Sequence, residues 1–183
     1  TTATDKDEKI YAAWSRNSYH TEESRGSFIA KLNPDNGEIV WKTELESHNY
    51  IINDLHAVGN TLYAVGQYKG TKRPLFIAVN RNDGTLLWQK EVAASDSTAF
   101  TEIDSDGSNL YVSSKSALGI SGTVHQFNLD GSVVEAWNGS DRQKLSRTNT
   151  QDQTSVIVVN QIISAGKTSL DEFYDGSSWR LVS

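Results

Sequence analysis

The sequence predicts an all-β fold made of one repeated antiparallel unit, and three observations support this expectation. Three glycines, Gly37, Gly84 and Gly131, recur about 47 residues apart, a period typical of solenoids, propellers and other repeat arrays. Each glycine follows an Asn/Asp-rich turn and precedes a segment that contains a tryptophan. Between the turns lie β-branched and aromatic runs of about four to six residues, and the apolar residues nowhere keep a helical spacing. These features favour strands over a helical repeat.

The second half of each unit has the pattern of a β-hairpin. Two apolar runs flank an Asn-Gly or Asp-Gly pair, whose residues supply the positive φ angles that tight hairpins need. The repeated segments span residues 28–41, 75–88, 124–137 and, in a more degraded copy, 170–181.

The first half of each unit repeats as well, as a strand, a Gly/Asn turn and a second strand. The second strands of this half are similar to one another in sequence: 10–13, 62–66, 110–114 and 162–166. A whole unit therefore holds four antiparallel strands in about 47 residues, which is the size of one β-propeller blade. We expect a single β-propeller domain over residues 1–183, with blade-like units at roughly 1–47, 48–95, 96–143 and 144–183.

The number of blades leaves two architectures open. Only three strands are evident in the first unit, to which residues 2–5 could add a short inner strand. The chain either closes as a four-bladed ring, which lies within the known range, or forms an arc of a larger propeller. An arc would expose apolar faces and strand edges, and so predicts self-association.

Composition narrows the function classes. The formal net charge is −6 and there is no basic stripe, which argues against a nucleic-acid partner. No apolar run approaches the roughly 20 residues of a membrane helix, so we expect no membrane insertion. The chain has no cysteine, which excludes disulfides, thiolate metal sites and cysteine nucleophiles. Its start at Thr1 favours a processed segment.

The segment from Ala78 to Trp88 carries a motif of Ala, Asn, Asp-Gly and Trp that resembles the pyrroloquinoline-quinone (PQQ)-like propeller repeats of bacterial proteins. The first unit, with Phe28 to Asp35, is similar to the propeller repeats of large surface and secreted proteins. The resemblance covers roughly residues 9–182 and implies an extracellular, periplasmic or cell-surface location. It also implies that the repeat tryptophans pack between neighbouring blades: Trp41, Trp88, Trp137 and Trp179.

These aromatic residues have a second interpretation. Exposed aromatic side chains at repeat spacing can stack on sugars, although a blade cannot bury its sheet face alone and inter-blade packing answers that need. Trp137 follows its glycine by six residues, whereas Trp41 and Trp88 follow theirs by four, so the third unit departs from the pattern at this position. Trp14 falls outside the repeat positions and is the better candidate for a surface role.

A ligand site, if present, is expected at the mouth of the propeller channel. The innermost strand of each blade lines the channel, and alignment of the units places Asp54, Glu102 and Thr154 at one equivalent position in the loop that leads into this strand. Two carboxylates that converge there could bind a cation or sugar hydroxyls. The alternative is that they are solvated loop residues that satisfy turn amides.

A second candidate is a calcium loop. Glu102, Asp104 and Asp106 supply oxygen ligands at positions 1, 3 and 5, with Gly107 at position 6, as in the first half of an EF-hand loop. Position 12, which needs a bidentate carboxylate, is Ser113. A plain hairpin turn is the competing interpretation and is favoured by the equivalent turn at Gly59.

No catalytic constellation is complete, so we expect a non-enzymatic binding or scaffold module that contacts a protein or ligand through one face of the disc. A carbohydrate-binding propeller is the alternative. The family that the chain resembles includes quinoprotein dehydrogenases, which hold their cofactor between a tryptophan and a cysteine pair with Ca²⁺ nearby. This chain has no cysteine and no complete Ca²⁺ loop. We therefore expect no cofactor, with Ca²⁺ as the one ion to test.

Overall fold

The computed structural model describes most of the first three repeat units and the backbone of the strands in the fourth. The described residues are 1–4, 8–16, 26–45, 50–68, 73–92, 97–116, 123–138, 155–159, 162–166, 172–174 and 179–181. From residue 155 onward only the backbone is considered. The candidate residue Thr154 lies outside the described residues.

Strands are the only regular secondary structure within these ranges. Their bounds are β1 Thr2–Thr4, β2 Ile10–Arg16, β3 Gly26–Leu32, β4 Ile39–Glu44, β5 Tyr50–Val58, β6 Thr61–Tyr68, β7 Arg73–Asn80, β8 Leu86–Glu91, β9 Ser97–Ser105, β10 Asn109–Ser116, β11 Thr123–Asn128, β12 Val133–Asn138, β13 Ser155–Val159, β14 Ile162–Gly166, β15 Glu172–Tyr174 and β16 Trp179–Leu181. In this part of the chain we find no helix with the length and apolar character of a membrane span.

Four consecutive strands form each sheet, and neighbours in the chain pair antiparallel. The sheets are β1–β4, β5–β8, β9–β12 and β13–β16, each in the order of the sequence, and are called the first to fourth sheets below. The expected all-β, four-stranded repeat is confirmed, including the short inner strand β1 at Thr2–Thr4.

The chain divides into two compact units, Thr1–Ala93 and Ala94–Ser183. The first unit holds the first two sheets and the second unit holds the other two. Within each unit the leading strands lie together: β5 is beside β1, β2 and β3, and β13 is beside β9 and β10. The first strand of a sheet is therefore its inner strand.

The core of the first unit lies between its two sheets. Strand alternation turns one face of the first sheet toward the second sheet. The residues of this shared core are Tyr11, Ala13, Ile29, Trp41 and Leu45 from the first sheet and its end, and Tyr50, Ile52, Leu55, Leu62, Ala64, Leu75, Ile77 and Val79 from the second. Each sheet therefore buries one face only by packing on the other.

The hairpin glycines have the positive φ that the sequence predicts, with values of 74° at Gly37, 78° at Gly84 and 75° at Gly131. The turns differ from a two-residue hairpin, because the Asn and Asp residues before these glycines keep negative φ. The amide of Gly84 donates to the carbonyl of Asn80 at 2.8 Å, and the amide of Asn80 donates to that of Thr85 at 2.7 Å. The loop between Asn80 and Thr85 therefore contains the four residues 81–84, and of these only Gly84 requires the left-handed region.

Trp41 joins the two sheets at the turn that contains Gly84. Its indole Nε1 donates a hydrogen bond of 3.2 Å to the carbonyl of Arg81, and the Thr43 hydroxyl donates to the carbonyl of Gly84. A Cβ on Gly84 would lie 2.6 Å from Cε3 of Trp41. The Arg81 side chain completes the contact, since its Nε donates to the Tyr11 hydroxyl at 2.8 Å. Gly84 is thus needed both for its φ angle and for the space that the indole occupies.

We predict that Gly84→Ala destabilises the protein more than Gly59→Ala. Both glycines have positive φ, which costs an alanine about 1–2 kcal/mol, but the space around Gly59 is open. The clash with Trp41 is expected to add about 1–3 kcal/mol at Gly84. Urea unfolding measures both free energies. Equal losses in the two variants would show that the indole does not press on this turn.

Candidate functional site

The inner strands of the second and third sheets each contain a β-bulge, at equivalent positions. In β5, Ile52 pairs with Gly66 and Asp54 with Val65, which leaves Asn53 as the extra residue. In β9, Phe100 pairs with Ser114 and Glu102 with Ser113, which leaves Thr101 extra. A bulge bends the strand and changes the direction of nearby side chains, and bulges are common beside functional sites.

Different neighbours support the two bulges. A Cβ on Gly66 would lie 1.9 Å from the carbonyl oxygen of Ile51, so β5 approaches β6 too closely for any side chain at this position. In the third sheet the extra residue anchors itself, since the Thr101 and Ser113 hydroxyls lie 2.6 Å apart. The sequence gives no direct signal for either bulge.

Asp54 and Glu102 each follow the bulge directly and occupy equivalent positions. Both lie inside the inner strands β5 and β9, so the expectation that they lie in a loop leading into the strand is wrong. The strand pairing continues on both sides of the bulge, so the irregularity interrupts the strand without ending it. Asp54 lies on the face opposite to Leu55, and its Oδ1 accepts a 2.9 Å hydrogen bond from the Leu55 amide. Since the two residues lie in different units, their convergence stays a prediction.

The segment from Glu102 to Gly107 comprises the end of β9, up to Ser105, and the start of the hairpin turn that leads to β10 at Asn109. The Asp106 Oδ1 accepts hydrogen bonds from the amides of Ser108 at 2.8 Å and Asn109 at 2.7 Å, and its Oδ2 accepts one of 3.0 Å from the Tyr111 hydroxyl. The carboxylate therefore stabilises the turn. Among the residues whose side chains are described, no three of His, Asp and Glu are grouped as a metal site would require, so the Ca²⁺ hypothesis for Glu102, Asp104 and Asp106 rests on the sequence alone.

This turn changes the proton affinities of two groups. Partial burial alone would raise the pKa of Asp106, but the hydrogen bonds from Asn109, Ser108 and Tyr111 outweigh it and hold the pKa below its usual range. Burial, followed by the bond to Asp106 and its charge, raises the pKa of Tyr111 to about 12. The pair is fixed in one ionisation state at neutral pH and serves the turn.

The tryptophans occupy different environments. Trp41 is buried between the first two sheets. Trp88 is half-buried and contacts Phe76 edge-on at 5.0 Å between ring centroids. Trp137 pairs with Val124, whereas Trp41 pairs with Lys31 and Trp88 with Ala78. The third sheet has Glu135 opposite Gln126 at the corresponding place, so its tryptophan is displaced along the strand. The side chains of Trp137 and Trp179 lie outside the described part.

His125 is a buried polar group that the sequence pattern did not reveal. It lies on β11, with Phe100 in an edge-on contact at 5.4 Å, and its Nε2 is 3.1 Å from the Ser114 hydroxyl. Burial lowers the pKa of this imidazole to about 4. From the sequence, the nearby apolar residues Val124 and Phe127 predict only that His125 lies in a strand. Its apolar neighbours and single hydroxyl partner are those of a core residue.

The comparison with protein families places this fold. Residues 21–173 match a PQQ-like repeat family described as the outer membrane protein assembly factor BamB. The match covers most of the chain, and the chain belongs to this PQQ-like β-propeller family. No curated protein matches its sequence.

Solved structures show the same fold at low sequence identity. The chain is similar to the Dos1 propeller, with a TM-score of 0.59 and 11% identity over 100% of this chain and 46% of that one. The chain is also similar to the β-propeller domain of the trilobed protease from Pyrococcus furiosus, with a TM-score of 0.59 and 12% identity over 98% of this chain and 56% of that one. Its similarity to the quinohemoprotein alcohol dehydrogenase ADHIIG from Pseudomonas putida HK5 has a TM-score of 0.54 and 12% identity, over 96% of this chain and 32% of that one. The chain thus spans about half the length of the first two, and the likeness concerns the fold alone.

We predict that His125 makes stability depend on pH between about 6.5 and 4. The pKa of about 4 in the folded protein lies below the ordinary histidine value of 6.5, so the unfolded chain binds the proton first as the pH falls. Stability is complete above 6.5, falls as the pH drops toward 4, and loses up to about 3 kcal/mol from this group.

The measurement is urea unfolding of the wild type and of His125→Leu at a series of pH values. The difference between the two free energies should vary across this interval and level off on both sides, because the carboxylates are common to both proteins. A pH-independent difference would show that the imidazole is not buried in its neutral form.

Proposed function

We propose that this chain is a non-enzymatic propeller module that binds or scaffolds a protein partner of the cell envelope or extracellular space. The observation that carries the proposal is the family match over residues 21–173, whose description names an outer membrane assembly factor. A propeller presents contacts from a rigid frame, which suits a scaffold. The proposal holds for a closed ring and for an arc of a larger propeller, because both are built from the same blades.

The repeated bulge supports a contact surface on the inner strands. Asp54 and Glu102 hold the same place after the same irregularity in two sheets. One bulge relies on Gly66, while the other relies on the Thr101 hydroxyl. Two different local solutions for one backbone shape indicate that the shape itself is used. We propose that these carboxylates meet the partner, with Thr154 at the third position.

A carbohydrate-binding propeller is the alternative, and it needs an accessible aromatic group in each blade. Trp41 is only 9% exposed and its N–H is bonded to Arg81, so the first repeat position offers no sugar platform. Trp14, which is 38% exposed and stacks on Phe28 at 5.6 Å, is unique to the first sheet among the described strands. One platform supports at most one site, which favours a protein partner.

We predict that Asp54→Ala combined with Glu102→Ala weakens capture of a specific envelope protein by the purified chain. The loss of two carboxylates at an interface is expected to reduce affinity roughly 10-fold or more. The control is Asp35→Ala combined with Glu44→Ala, which removes equal charge from exposed positions. Bound proteins are quantified by mass spectrometry and the leading one by calorimetry. Equal binding by both double variants would overturn the assignment of this surface.

A glycan array distinguishes the alternative. We expect the wild-type chain to show no multivalent binding, because the repeat tryptophan of the first sheet is buried. Binding to a glycan that survives Trp14→Ala and is lost in the Asp54/Glu102 double variant would favour a lectin.

A further inference from the structure

The hairpin turns of the second and third sheets each pair a carboxylate with a hydroxyl across their glycine. The Asp83 Oδ1 accepts a 2.9 Å hydrogen bond from the Thr85 amide. The Thr85 hydroxyl donates to the same carboxylate, and the two bonds hold the pKa of Asp83 below its ordinary value. The Asp130 Oδ1 likewise accepts bonds from the Ser132 amide at 2.8 Å and from the Ser132 hydroxyl at 2.6 Å. In both turns an acceptor side chain before the glycine meets a donor side chain after it.

The turn of the first sheet keeps this arrangement with the two chemical roles exchanged. The Glu38 amide donates to the Asn36 Oδ1 at 3.0 Å, as in the other turns, but the Asn36 Nδ2 donates to the Glu38 Oε2 at 2.9 Å. Asn36 is therefore the donor side chain and Glu38 is the acceptor. The sequence of the fourth unit has Asp175 and Ser177 at the corresponding positions, so the first unit alone places Asn before its glycine and Glu after it.

The bond between these two side chains depends on the amide group of Asn36. An ionised carboxylate has no hydrogen to donate, so an aspartate at position 36 would face the Glu38 carboxylate. Two like charges at this distance repel. Asp before the glycine and Glu after it occur together in none of the four units. Loss of one amide group would thus convert an attraction into a repulsion at this turn.

Asn36 also has the neighbours that allow its amide to be lost without an enzyme. It precedes Gly37, which has no side chain to hinder the approach of its own nitrogen to the Asn36 Cγ, and both residues are exposed. The Glu38 amide, bonded to Oδ1, lies where negative charge develops when Cγ is attacked. One bond opposes the reaction: the Gly37 amide donates to the Asn33 carbonyl at 2.8 Å and must be released first. The folded chain should therefore react, but more slowly than the unfolded chain.

We infer that Asn36 is a site of spontaneous deamidation, and that its product destabilises the hairpin turn of the first sheet. The Gly37 nitrogen gives its proton to water and bonds to the Asn36 Cγ. The Cγ–Nδ2 bond breaks, and Nδ2 takes a proton from water and leaves as ammonia, which gives a cyclic imide. Water then opens the ring to aspartate or to isoaspartate, so one water is consumed for each ammonia released.

Both products disturb the turn. Aspartate keeps the backbone but places its carboxylate against Glu38. Isoaspartate routes the backbone through the former side chain, which adds one carbon to the turn and ends the bond between Asn36 Oδ1 and the Glu38 amide. The proposed binding function does not depend on this modification.

The reaction is tested by incubating the purified full chain at mildly alkaline pH and measuring the peptide that contains Asn36 by mass spectrometry. We expect steady conversion at Asn36 in the folded chain and faster conversion in urea. Asn138 also precedes a glycine, so its peptide is quantified separately.

The matched control for the reaction is Gly37→Asn. Asparagine tolerates positive φ, and no described atom lies within 4 Å of a Cβ at this position, but its side chain hinders the attacking nitrogen. Conversion at position 36 should be several-fold slower in this variant. An Asn36 peptide that changes only in urea, or that changes as fast in Gly37→Asn, would overturn the assignment of the site.

The effect on the turn is tested by urea unfolding of Asn36→Asp, of Glu38→Thr and of the double variant. Asn36→Asp should lower the folding equilibrium constant roughly 2- to 5-fold, and concentrated salt should reduce this loss because it screens the two charges. The double variant reproduces the pair of Asp83 and Thr85, so Glu38→Thr should recover the loss caused by Asn36→Asp. Wild-type stability in Asn36→Asp, or a loss that neither salt nor Glu38→Thr reduces, would overturn the role of this pair.

Discussion

The packing of one sheet face on the next, fixed by an indole over a glycine, is the contact on which the first unit depends. A single four-stranded sheet has two apolar faces and can bury neither alone. Trp41 supplies a large apolar area and one directed hydrogen bond to Arg81. Because the glycine it covers also needs positive φ, one residue answers two demands. Positive φ is common to Gly37, Gly84 and Gly131 and accounts for the glycine period, whereas the space for an indole is a further requirement at Gly84.

The sequence was sufficient to predict those features of the fold for which a residue type has a single physical explanation. The glycines at positive φ and the strands between the turns were predictable, because both depend on residues close together in the sequence. The four-stranded sheets and the family match confirm the fold that these features predict. The form of the turns was not predictable, because an Asp-Gly pair fits both a two-residue hairpin and the longer loop observed. The loop length is decided by pairs such as Asn80 with Thr85, which only the register reveals.

The candidate site was less accessible for the same reason. Its position depends on the bulges at Asn53 and Thr101, and a bulge is a relation between two strands that no single segment encodes. Alignment of the repeats did place Asp54 and Glu102 at equivalent positions, because the two bulges occur at the same position in their strands. The prediction that this position lies in a loop was wrong, since it lies well inside β5 and β9. His125 escaped notice because its burial comes from Phe100 on another strand.

The residue opposite each bulge shows how the repeat adapts to the shape of its inner strand. In the second sheet Gly66 pairs with Ile52 just before the bulge, and a Cβ on Gly66 would lie 1.9 Å from the carbonyl oxygen of Ile51. In the third sheet the equivalent residue is Ser114, which pairs with Phe100 just before the bulge. Because a bulge bends its strand, the strand approaches its neighbour closely there, and a residue with little or no side chain gives it room. The bulge and its small partner are therefore one feature of the repeat, and Asp54 and Glu102 follow it at the same place in both sheets.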